Sequence, residues 1–501
     1  MKKRMLLLLM LAALAALLLC ACEKAPEQPT TTAPVVTEPP VEHVTLVVTE
    51  DTISQLEQYP QLKSADLTGS TCYAAIMQYK EAHPKVDVTY SVQLGTLTAA
   101  HTETALVLDP GVCDYDTLAE NLAYLPALET VSLPRTTYTA QEIEALEGLY
   151  PDVAWDYTVI LLGQEVTNET TSLNLSVLEA DRVAEVAGKI GLFPNVTTVE
   201  LMDSYGNSNL TKEDVKTLQD GAPNAVFHYT FELFGKTVST TDERIEYVKQ
   251  DIGNEGEEEL RSALAILQGC SYFLLEDCGF DNEILAAVRE DFREGPKVVW
   301  RVYFGKTNRY TYLTDTDTIR AVYNVTDDTC GNMKYCEDVK YMDLGHNEYL
   351  TDITFISYMK DIEIVILSGS PITDLTPFTD HKKLEFLELA YCGHIKDVSA
   401  LAGCESLAHV NLSYTKVEDI SPLYELPLQQ LCAVKSRIPW SSWEDIMELH
   451  PECSVRYDGS QPYGTGWRYK KSGAYTDIYA KVREVFDLDE VDKRLEASKN
   501  N

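Results

Sequence analysis

The chain has 501 residues, with 79 Asp and Glu against 41 Lys and Arg, for a formal net charge of −38. That excess repels polyanions, so nucleic acid and anionic lipid surfaces are poor partners. Past the first 22 residues no segment is apolar enough to span a bilayer, so the remainder is expected to be soluble.

The N-terminus carries an address. Lys2, Lys3 and Arg4 are followed by an apolar run from Met5 to Leu19 and then by Leu19-Cys20-Ala21-Cys22. This tetrapeptide resembles a bacterial lipobox, in which a small residue precedes the acylated cysteine. The resemblance implies cleavage before Cys22, lipidation of Cys22 and retention on the bacterial cell membrane, facing away from the cytoplasm. Removing the three basic residues takes the charge from −38 to −41. Residues 23–43 are rich in Pro, Thr and Glu and poor in large apolar groups, the composition of an extended tether.

Residues 44–320 show a long period. Pro60, Pro126 and Pro194 are 66 and 68 residues apart, and Gly95, Gly163, Gly235 and Gly305 recur on a similar spacing. Tyr90, Tyr157, Tyr229 and Trp300 each precede one of these glycines. Four super-repeats of about 70 residues follow, each reading strand, helix, strand, helix, strand. In the second, strands are expected at 105–108 and 130–133 and helices at 116–123 and 139–149, the latter opened by a Thr139/Glu142 capping box. Alternating runs at 153–166 and 226–238 predict hairpins or long edge strands turning at Gly163 and Gly235. A separate α/β domain outside the solenoid is the alternative for this stretch.

From residue 321 to 456 the period shortens. Met342, Val365, Leu387, Val410 and Leu431 are separated by 23, 22, 23 and 21 residues. Leu384, Leu387, Leu389, Cys392 and Ile395 spell one copy of the leucine-rich repeat, and Leu407, Val410, Leu412, Thr415 and Val417 spell the next. The stretch resembles that family, and the recurring Asp397-Val398-Ser399 and Asp419-Ile420-Ser421 phrases resemble its internalin-like class. The resemblance implies an α/β leucine-rich-repeat-type solenoid with short helical turns on its convex side and a binding role. The turn rung reads Asn347, Ser370, Cys392, Thr415 and Ser436, so only one position holds the family's Asn, and a weak turn ladder is expected.

Period-two alternation sends Tyr341, Ile364, Phe386 and His409 outward in one column and Glu388 and Asn411 in the next, with Tyr391 and Tyr414 near the strand ends. With strands about 4.8 Å apart these residues form an apolar and aromatic strip rimmed by Glu388 and Asn411, the composition of a protein-binding patch. Cover by the chain's own tail is the competing expectation. That tail, residues 457–501, reads as a loop containing Trp467 and a helix from about 475 that caps the last repeat.

Chemistry is sparse. No nucleophile elbow, zinc helix, phosphate loop or dinucleotide fingerprint is present, and Asp315 and Asp317 lack the rest of a calcium loop. No metal, cofactor or catalytic residue is expected. Ten cysteines remain after Cys22, as disulfides (Cys330 with Cys336, Cys270 with Cys278) or as buried thiols. The function expected is non-catalytic recognition of an extracellular protein or glycan. Alternatives are an extracytoplasmic enzyme or enzyme subunit, and a structural envelope protein without a specific ligand.

Overall fold

The computed structural model describes residues 40–499. The expected signal peptide, the acylation site Cys22 and nearly all of the tether lie outside the described residues. Among the described residues no helix is long and apolar enough to cross a membrane. Contacts divide the chain into two compact units, one running to Ser132 and including Leu149–Ala154, the other comprising Leu133–Gly148 and everything from Trp155 onward.

The first unit contains three parallel strands, His43–Thr45, Ser64–Asp66 and Asp87–Thr89, followed by the hairpin Ser91–Leu94 with Leu97–Ala100. It ends with the parallel pair Ala105–Val107 and Thr130–Leu133. In the second unit the same grammar recurs. Ser172–Asn174, Thr198–Glu200 and Val226–His228 are parallel and lead into the hairpin Thr230–Leu233 with Lys236–Ser239. Next, Arg244–Val248, Tyr272–Glu276 and the start of Lys297–Phe304 are parallel, and the end of that long strand turns back on Tyr310–Leu313. The expected hairpin at Gly163 pairs Thr158 with Thr167, and its turn takes Leu162 and Gly163 at φ 49° and 82°, the left-handed pair of a tight hairpin turn. The Thr139/Glu142 capping box is formed, each residue's side chain accepting from the other's backbone N–H.

A polar device at these hairpins has no conspicuous sequence signal. Where the third strand leaves its parallel neighbour for an antiparallel one, the backbone N–H of the aromatic residue loses its ladder partner. A buried side chain further along accepts it instead: His101 Nδ1 for Tyr90 at 3.3 Å, Asn168 Oδ1 for Tyr157 at 3.3 Å, Thr240 Oγ1 for Tyr229 at 3.1 Å and Thr314 Oγ1 for Trp300 at 3.2 Å. An unpaired buried N–H would cost about 1–3 kcal/mol, which explains why three different residue types fill one role at four positions.

From Thr318 the second unit becomes a regular coil. Seven three-residue strands, Thr318–Arg320, Tyr341–Asp343, Ile364–Ile366, Phe386–Glu388, His409–Asn411, Gln430–Cys432 and Ser454–Arg456, form one parallel sheet in continuous register. The sheet is two strands longer than the five anchors of the sequence pattern, and its first strand starts ahead of the expected boundary at 321. Met342, Val365, Leu387, Val410 and Leu431 are all fully buried inside the coil. Short 3₁₀ turns such as Thr376–Phe378, Ser399–Gly403 and Ser421–Leu423 form the return side. The Asp-x-Ser/Thr phrase has a local cause: Asp374, Asp397 and Asp419 accept the backbone N–H two residues on, each at 2.8 Å, which starts the turn. The turn rung is uneven, as its composition implied. Asn347 bonds Ala321 O, Leu344 O and the Val325 N–H, whereas Cys392 and Thr415 each make one bond, to Leu367 O and Leu412 O. This is the geometry of a leucine-rich-repeat-type solenoid, with mixed strands and short helices. All ten cysteines among the described residues are free thiols.

Candidate functional site

The strand face of the coil is not open. After the last strand, residues 457–476 cross it as a loop and the helices Asp477–Val485 and Leu488–Lys499 follow, separated at Asp487, whose φ is 48°. Thr476 caps the first helix by accepting the Tyr479 N–H. One continuous apolar cluster joins Ile364, Ile366 and Phe386 of the strands to Trp467, Ile478, Val482 and Phe486 of this segment, with Tyr341 packed at its margin. The expected terminal cap is corrected accordingly: the helix lies over strand residues as far back as Ile364 and not only over the last repeat. A helix with apolar residues at Ile478, Val482 and Phe486 needs an apolar surface, and the outward column of the strands supplies it.

Polar groups fix the register of this contact. The indole N–H of Trp467 donates to Glu388 Oε2 at 2.5 Å, and the Trp467 ring stacks on Phe386 with centroids 5.0 Å apart. Arg468 approaches Glu388 Oε1 at 3.4 Å while its guanidinium lies 4.1 Å from the Tyr463 ring centre and 4.9 Å from that of Tyr479. Burial works against the charge of Arg468, yet the Glu388 carboxylate together with the Tyr479 and Tyr463 hydroxyls outweighs it and holds the guanidinium above its usual pKa. Lys481 bridges Glu363 at 3.2 Å and Glu385 at 2.8 Å. Asn411 donates to Pro462 O at 3.0 Å.

The residues expected to form a binding strip therefore part company. Ile364, Phe386, His409, Glu388 and Asn411 are buried beneath the C-terminal segment, and Tyr341 is half-buried at its margin. Glu388 and Asn411, read from sequence as a polar rim, are both 0% exposed and sit at the centre. Their outward orientation was legible from alternation, and of the two expectations for this face the structure shows cover by the chain's own tail. Asp343, in the same column, has its carboxyl pKa pushed up by burial, against the opposing pull of the Gly345 N–H and Arg320.

Tyr391 and Tyr414 remain accessible, Tyr391 at 45%. Their rings stack 4.5 Å apart, and the Tyr414 hydroxyl donates to Ser460 O. Both occupy the left-handed region, with φ 65° and 60°. The same register position in every coil does so: Tyr323, His346, Gly369, Tyr391, Tyr414, Lys435 and Gly459 all have positive φ. Tyr323 and His346 stack 5.4 Å apart, continuing the aromatic column. Gly369 and Gly459 were the sequence signal for this column, one that becomes visible only once the strand register is known.

Two clefts flank the covering segment. One of about 690 Å³ is lined by Glu385, His409, Gln429, Gln430, Ser454 and Lys481 among others. A second, of about 770 Å³, shares Gln430, Ser454, Lys470 and Thr476 with it. His409 Nδ1 lies 2.9 Å from Gln430 Oε1, and burial lowers the ring's pKa. Among the described residues no group of three potential ligands could hold a metal ion.

No protein-family model matches the chain, and no curated protein sequence does. Among solved structures, internalin C2 of Listeria monocytogenes str. 4b F2365 is 20% identical over 29% of this chain and 64% of its own length, with a TM-score of 0.25. An internalin F of the same strain is 14% identical over 73% and 86%, TM-score 0.27. A leucine-rich-repeat protein of Leptospira interrogans is 15% identical over 67% and 91%, TM-score 0.25. TM-scores this low carry no argument by themselves, and the repeat architecture rests on the coil geometry above.

Proposed function

We propose that this protein is a non-catalytic recognition protein, held on the bacterial cell membrane through an acylated Cys22 and facing away from the cytoplasm, and that it meets a protein or glycan partner along the strand-end edge carrying Tyr391 and Tyr414. One observation carries the reading. A side chain in the left-handed region costs about 1–2 kcal/mol relative to glycine, and Gly369 shows that glycine is accepted in this column. The chain nevertheless places accessible, stacked tyrosines there, the residue type most enriched at recognition surfaces. The net charge of −38 disfavours nucleic acid as the partner. A partner on Phe386 and His409 themselves would have to displace residues 457–499.

The test is capture of extracellular partners by the chain bearing Tyr391→Gly and Tyr414→Gly together. Glycine relieves the backbone, so melting should stay close to that of the parent while capture is lost. Undiminished capture by the double variant overturns the edge as the site. Globomycin-insensitive processing, or a mature chain without acyl groups on Cys22, overturns the anchor.

A further inference from the structure

The cleft at the N-terminal ends of the last strands is chemically unlike the tyrosine edge at their C-terminal ends. Its volume, about 690 Å³, falls within the range of about 300–1,000 Å³ usual for small-ligand sites. Two of its ion pairs are internal, Lys481 with Glu385 at 2.8 Å and Lys470 with Asp477 at 2.6 Å, and the carboxylate of Glu452 also lines it. An anion would meet Glu452, and a cation would have to compete with Lys481 and Lys470 for Glu385 and Asp477.

The uncharged groups are more telling. The amide nitrogen of Gln430 is turned toward the carbonyl oxygens of Gly466 and Trp467, both at 3.4 Å, so its Oε1 faces His409. An amide oxygen only accepts, so His409 Nδ1 carries the proton and Nε2 keeps a bare lone pair. Among the described residues no donor is bonded to that Nε2. Burial of the ring, 6% exposed, keeps it uncharged and preserves the acceptor. Around it stand the Gln429 amide and the Ser454 hydroxyl, and the adjoining cleft of about 770 Å³ adds the half-exposed Tyr469 ring.

A neutral acceptor beside amides and hydroxyls, with an aromatic ring one step away, matches a ligand that offers many O–H groups and no charge. We propose that the paired clefts around His409, Gln430 and Ser454 bind uncharged sugar residues of a glycan chain. The proposal deepens the recognition reading but uses none of the tyrosine edge, so the two fail separately.

The experiment is titration calorimetry of the detergent-solubilised full-length chain with chitotetraose, cellotetraose and maltotetraose, and a sedimentation arm with insoluble peptidoglycan. The first arm reports free oligosaccharide, the second a polymeric wall source. A heparin tetrasaccharide serves as the charged comparator. Saturable binding of at least one neutral probe is expected, weakened tenfold or more by Ser454→Arg, which fills the cleft from an exposed position. His409→Gln, which swaps the bare ring nitrogen for an amide, should weaken it as well. Tyr205→Ala, at a residue 88% exposed and outside both clefts, should bind sugar normally. Absence of binding to every neutral probe, equal binding by Ser454→Arg with unchanged melting, or tighter binding of the heparin fragment overturns the proposal.

Discussion

Trp467→Ala tests whether residues 457–499 are part of the folded core or merely rest on it. Trp467 is 1% exposed, stacks on Phe386 and donates to a carboxylate that is itself 0% exposed. Deleting a buried Trp side chain costs about 3–5 kcal/mol through lost transfer energy and the cavity left behind. The hydrogen bond to charged Glu388 adds about 1.5–3 kcal/mol, because the carboxylate stays buried with only the longer Arg468 contact and Ser368, whose hydroxyl donates to it at 3.0 Å. Trp467→Phe separates the two, keeping a ring on Phe386 and losing only the N–H, for a cost of about 2 kcal/mol. The two-unit chain makes a single global unfolding energy ill-defined, so native-state hydrogen exchange is the better assay. In the Ala variant, amides of Tyr479–Val485 should exchange faster by about three to six orders of magnitude, the equivalent of about 4.5–8 kcal/mol. Trp440→Ala, at a residue 53% exposed, serves as the control. If helix exchange in Trp467→Ala matches that control, the segment is not held through Trp467 and the account of the covered face is wrong.

Other outcomes follow from the same contacts. Burial lowers the pKa of His409 below its ordinary 6.5, so the unfolded chain takes up the proton first as pH falls. Its stabilising contribution is complete above pH 6.5 and is lost as pH falls toward the folded value; Glu385 and Lys481 are the charged groups acting on it. His409→Gln should flatten that part of the stability profile, read as urea midpoints between about pH 7.5 and 5, and an unchanged slope would contradict the assignment. Thr240→Val removes the acceptor for the Tyr229 N–H and should destabilise by about 1–3 kcal/mol, seen as faster exchange in the Thr230–Leu233 hairpin. The thiols of Cys336, Cys392 and Cys404 are pushed up to about 12 by burial, so iodoacetamide in mildly alkaline buffer should label half-buried Cys72 first and these three only after unfolding. Mass spectrometry showing early labelling at Cys392 would contradict the packing of the turn rung.

Several features were legible before the structure because they are local. A 21 to 23 residue period of apolar anchors specifies a strand per coil, and the Asp-x-Ser/Thr phrase specifies the turn after it, since both interactions close within a few residues. Left-handed glycines announced the hairpins at Gly163 and Gly235 for the same reason. Of the outer strands, Ser454–Arg456 lies within the stretch expected for the short repeat, whereas Thr318–Arg320 falls ahead of its boundary although Ile319 is fully buried and pairs in register with Met342. The acceptors His101, Asn168, Thr240 and Thr314 escaped because three residue types do one job.

The sequence by itself determined the coil, the outward direction of Phe386, Glu388 and His409, and the lipobox-like start, because periodicity and alternation are read within one turn of chain. Only the tertiary structure decided what meets those outward side chains. Trp467 and Glu388 are 79 residues apart, and no local spacing couples them. The pairing exists because an amphipathic helix and an apolar strand column each had surface to bury, and a buried carboxylate required a donor of the right reach. That closure turns a face with the composition of a binding patch into core, and leaves the tyrosine edge and the flanking clefts as the surfaces open to a partner.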